Sequence, residues 1–205
     1  MEAAYFSAAL PEPYRILGLP LKPLSLGRYR LLKRFGCAFV SDVETKAGLD
    51  DLLLGVVVCS MRVDEFLERL QSGKLAKDVR RWARKVCPLA WFGLIPIIGK
   101  LWRRGHAFNV IEKMSLFKRY LDAGSEPPKY WDEGTNNRQS GAHWAHGVEC
   151  VLRGELGWTE EEINEAPLTK AMADYFKFAE GQGLVRLMTD AELAMIKEAE
   201  GASGT

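Results

Sequence analysis

The sequence predicts an all-α fold: a compact, mostly helical domain with short extended segments at most and a long loop near 124–142. Three observations carry this. Apolar residues recur at spacings of three and four, as in Leu75, Val79, Trp82 and Val86, or Val110, Ile111, Met114, Phe117 and Leu121. Helix-start signatures precede such runs, Thr159 with Glu162 and Thr189 with Glu192, and glycines close them. The composition, 47% hydrophobic and 27% charged over 205 residues, is that of an ordinary globular chain able to bury a sizeable core.

Residues 1–13 read as a loosely held arm ending in Pro-Glu-Pro. Tyr14 to Pro23, broken by Gly18 and Pro20, suits an extended stretch or short strand. Ser25 is an N-cap for a first helix of about 26–35, with Arg28, Leu31, Leu32 and Phe35 at helical spacing and Gly36 as terminator. Leu52 to Cys59 is apolar enough for a strand. Asp50 and Asp51 favour a buried helix there, because a helix N-terminus attracts negative charge. Ser60 then caps a short helix, Val63 to Gln71, and Lys74 to Val86 forms another.

Pro88, Gly93, Pro96 and Gly99 argue against one helix continuing through Cys87 to Ile98. Asn109 with Glu112 marks a fresh start, and Gly124 and Pro127-Pro128 the end. The turn-forming residues 124–142 divide the chain into an N-terminal helical lobe (14–123) and a C-terminal one (143–198), with 199–205 as a tail, unless one domain spans both. Beyond the loop come a helix from Trp144 to about Gly154, a short acidic helix capped by Thr159, and a helix opened by Pro167. An LVRLM stretch suited to an extended run and a last helix capped by Thr189 follow.

A net charge of +1 conceals an asymmetry. Lys74 to Arg104 holds nine of the 28 Lys and Arg residues against Asp78 alone, whereas Glu155 to Glu165 contains five glutamates, so complementary patches would meet within or between copies. The basic helix with Trp82, Trp91 and Trp102 raises nucleic-acid or membrane contact. Trp82 falls on the apolar side, and the longest apolar runs fall short of the roughly 18–20 residues of a membrane span, which leaves a solvated face or a protein-binding one. The N-terminus resembles no secretory signal, and the four cysteines lack CxxC spacing, so reduced thiols in a cytosol are expected.

His143 and His146, with Glu149 or Cys150 nearby, are weak candidates for a metal site, since no fourth ligand is visible; none is expected to bind. The glutamates at 160–162 suit a helix start better than paired-carboxylate catalysis, and no phosphate-binding glycine motif occurs. Neither a cofactor nor a catalytic set is expected.

Several phrases resemble tailed-phage tail assembly chaperones and tail-assembly-associated proteins. They are YRILGLPLKPLSLGRYRLLKRFG, DLLLGVVVCS, DVRRWARKV, FKRYLDAGSEPPKYW, SGAHW and LGWTEEEINEAPLTKAMADYFKFAEGQGLVRLMTDAE. The resemblance implies a non-enzymatic protein of the host cytoplasm that binds the tape measure protein and helps the tail tube protein assemble around it. On that view the contact would use Val79, Trp82, Trp91, Phe92 and Trp102, with Arg80, Arg81 and Arg84 steering. A structural tail or connector subunit of the virion and a membrane-associated helical protein are the alternatives.

Overall fold

The computed structural model describes residues 13–41, 46–86, 96–133 and 143–202, with the side chains of 80, 82–86, 96–109, 197 and 200–202 outside the description. It is mostly helical, but two small antiparallel sheets mean that it is not purely all-α. The first sheet is a hairpin, β1 (Tyr14–Ile16) with β2 (Leu19–Leu21), in which Ile16 faces Leu19 across a two-residue turn. Leu17 and Gly18 both take positive φ there, 51° and 80°, as a turn matched to the twist of a hairpin requires.

Helix α1 (Leu26–Arg34) begins at Ser25, whose hydroxyl accepts the Arg28 backbone N–H at 3.2 Å. Phe35 terminates it and stays 38% exposed rather than joining the core stripe. A 3₁₀ turn, Ala38–Val40, leads towards α2 (Leu49–Ser60). The apolar run is thus a buried helix. Its start is held by Asp51, which accepts the Gly48 N–H at 2.8 Å and the Ala38 N–H at 2.9 Å. Helix α3 (Val63–Gln71) follows, but Ser60 does not cap it. The Ser60 hydroxyl donates back to the Val57 carbonyl, Arg62 takes the cap position, and the first helical N–H, that of Val63, finds Glu165 from the far end of the chain.

Helix α4 (Lys74–Val86) is the basic helix. Helix α5 (Pro96–Ser125) runs unbroken, so Asn109 is an interior residue and not a start. Pro96 accounts for the start: a proline at the first helical position gives up an N–H that would be unpaired anyway. Strand β3 (Tyr130–Asp132) lies inside the expected loop, paired with β4 (Val185–Leu187) and with the Tyr130 ring 4.4 Å from Phe176. The chain between them forms α6 (Trp144–Gly154), α7 (Glu160–Glu165) and α8 (Leu168–Gly181). Helix α9 (Asp190–Ala202) extends beyond residue 198 into the expected tail.

One apolar cluster takes Ile16, Leu32, Val56, Phe66 and Phe117 from before residue 124, and Leu152, Ile163, Leu168 and Leu187 from after it. Close helix packing sets its geometry. A Cβ on Gly55 would stand 2.4 Å from the Phe117 ring, so only glycine lets α2 and α5 approach as they do. Among the described residues no helix is long and apolar enough to cross a membrane.

Candidate protein-binding groove

The site begins with one arginine. Arg28 lies on the inner face of α1 and is 0% exposed. Its guanidinium donates to the Met61 carbonyl through Nε (3.2 Å) and Nη2 (3.1 Å), and to the Pro23 carbonyl (3.2 Å) and Ser25 Oγ (3.0 Å) through Nη1. Glu165 lies 2.5 Å from Nη2 and accepts the Val63 N–H with its other oxygen at 2.7 Å. A planar fork with five N–H donors can tie α1, α3 and α7 together in this way; an ammonium cannot.

Ser25 adds a hydroxyl bond to the Asn164 carbonyl and a bridge to Pro167, while Leu168 donates to the Leu24 carbonyl at 2.6 Å. Gly27 lets α7 sit directly on α1, since a Cβ there would meet Asn164, backbone included, at 2.7–2.9 Å.

With the inner face of α1 so fixed, Arg30, Lys33 and Arg34 point away from the core and form one wall of a groove of about 560 Å³. Leu31, Val63, Leu67, Gly27 and Ala145 supply an apolar floor, and His143, His146 and Glu149 of the α6 end form the opposite wall, with Glu160 and Asn164 from α7. The walls are braced. Arg30 donates to Glu149 at 3.1 Å, as does Arg153, and the Tyr29 ring packs 5.1 Å from Trp144 and 5.9 Å from His143. Phe35 and Leu70, both exposed, lie one turn on from Leu31 and Leu67 along α1 and α3.

His143 and His146 are spoken for. The Nδ1 of His143 accepts the Ala145 N–H at 3.2 Å and caps α6, and Nε2 of His146 lies 3.7 Å from the exposed Cys150 thiol. Among the described residues no group of three or more His, Cys, Asp or Glu is placed to hold a metal ion.

The basic helix is described only in part. Val79 and Leu75 are half-buried against the core, and Arg81 is exposed with Asp78 at 3.5 Å, itself bonded to Arg69. The side chains of Arg80, Trp82, Arg84 and Trp102 lie outside the description, and Trp91 and Phe92 lie outside the described residues altogether. The groove draws instead on residues never singled out as a site, Arg30, Lys33, Arg34, Val63 and Leu67. Their signal was weak: an α1 with four cations and no acid. Compared with known proteins, the chain matches no family model, no curated protein and no solved structure.

Proposed function

We propose that this chain is a non-enzymatic helical adaptor that holds a segment of a protein client in the groove between α1, α3, α6 and α7. The observation that carries the reading is the groove's make-up: an apolar floor with one cationic wall, built on braced helices, is the form in which an amphipathic helix is received. The resemblance supplies the specific version: a tail assembly chaperone acting in the host cytoplasm, with the tape measure protein as client and the tail tube protein as the subunit it helps to assemble.

Co-expression with the tape measure protein, followed by affinity capture, tests this. The paired change Leu67→Gln with Arg34→Glu should weaken capture at least about tenfold while leaving the helical circular dichroism intact. Capture that survives this pair but is lost when Trp82, Trp91, Phe92 and Trp102 become alanine would move the contact to the basic segment, and absence of capture by the unmodified chain would overturn the client assignment.

A further inference from the structure

Helix α9 is shallowly embedded: among its described side chains none is buried. Leu193 and Ile196 are half-buried, and Glu192 ties its first turn to Arg186 of β4 at 2.8 Å. Of its other apolar residues, Ala191, Met195 and Ala199 recur every four positions on an exposed stripe beside the exposed Ala194, and Met195 is 68% exposed. Glu198 flanks them, and the helix carries four carboxylates, Asp190, Glu192, Glu198 and Glu200, against Lys197. An acidic helix with an exposed thioether matches the groove in both respects, since the groove offers an apolar floor and the cations of α1. Within its own chain no described side chain of α9 lines the groove.

We infer that the groove of one copy receives α9 of a second copy. Met195 enters over Leu31, Val63 and Leu67, and Glu198 faces the wall of Arg30, Lys33 and Arg34, away from Glu149 and Glu160. Thirteen helical residues extend about 20 Å, several turns of contact along the groove. Groove and helix are different surfaces, so the contact is heterologous: each copy has one groove and one α9, and association either closes into a ring or continues as a chain. It uses the same groove as the client reading above, so a second copy and a client compete.

The test is sedimentation of the full chain in a concentration series up to about 100 μM, the range a small interface requires. The average mass should rise with concentration in low salt and fall towards that of the single chain in high salt. Arg34→Glu and Met195→Lys should each remove association, and an equimolar mixture of the two should form a 1:1 dimer and nothing larger, because the mixture holds one intact groove and one intact α9. A constant mass across the series, association that persists in both variants, or a mixture that stays monomeric overturns the inference. Client capture separates the readings: Met195→Lys should still capture the client, whereas Arg34→Glu should not. Capture with constant mass leaves the client reading standing alone.

Discussion

Helices α1 and α4 are both short, cationic and amphipathic, and they use their arginines in opposite ways. In α4 the described cations face solvent: Lys74, Lys77 and Arg81 are exposed, and Arg81 meets Asp78 one turn away. In α1 one cation points inward. Arg28 is enclosed because carbonyls of Pro23 and Met61, the Ser25 hydroxyl and the Glu165 carboxylate surround it, and the buried end of the helix then obliges Arg30, Lys33 and Arg34 to line a groove. Charge density makes α4 conspicuous, but acceptors from elsewhere in the chain decide where a cation does structural work.

The largest effect that separates the two helices is removal of Arg28. Arg28→Met leaves the Met61 and Pro23 carbonyls short of donors and Glu165 without its cation, which should cost about 3–5 kcal/mol in urea unfolding. Arg28→Lys should recover only part, since an ammonium cannot reproduce the fork. Arg81→Ala on α4 should change stability by no more than about 0.5 kcal/mol. Equal losses at positions 28 and 81 would erase the distinction.

Next comes the close approach of α1 to α7. Gly27→Ala forces a methyl into Asn164, part of it backbone, and should cost about 1–3 kcal/mol. The outward Ala76 of α4 can be changed to serine for roughly 0.5 kcal/mol or less, because nothing is packed over it. Chemical denaturation of the two variants side by side reads the difference.

A third contrast is kinetic. Burial pushes the Cys59 thiol up to about 12, and burial likewise raises Cys37, while Cys150 is exposed. Alkylation of the native protein at pH 8, followed by peptide mass spectrometry, should modify Cys150 at least about tenfold faster than Cys59. Comparable rates would show that the α2 core opens readily.

These contrasts mark what could be read locally and what could not. The bounds of α3 and α4 and the Thr159-capped start of α7 follow from signals within a few residues, as does the choice of helix for Leu52 to Cys59. The Ser60 cap failed because Val63 takes its acceptor from Glu165, a hundred residues away, and β3 was taken for loop because its partner is β4, beyond three helices. Asn109 offered a capping box with nothing to end the preceding turn, so α5 ran through it. The groove was least legible of all. Spacing sets Arg28 with Leu31, Leu32 and Phe35, yet only the acceptors that Met61 and Glu165 bring to it make it a buried cation while Arg30 and Arg34 line the groove.

The smallest effect reuses the Arg28 chemistry at the surface. Arg186 forks onto both oxygens of Glu192 at 2.8 and 3.3 Å, where Arg28 meets Glu165 through one, and it does so in solvent. That pair, with the Thr189 N–H and hydroxyl, lowers the Glu192 carboxyl from 4.5 to about 2. A carboxyl lowered on folding contributes stability that is complete above 4.5 and lost as pH falls towards 2. The helical signal of α9, followed by NMR amide shifts, should therefore hold from neutrality to about pH 4.5 and fade between there and pH 2. Glu192→Gln keeps an acceptor for the cap but removes the titration, so its first-turn amides should lose that acid step. An unchanged step in this variant would assign it to another carboxylate, and would leave the exposed pair, unlike the buried one, without measurable influence on the helix it starts.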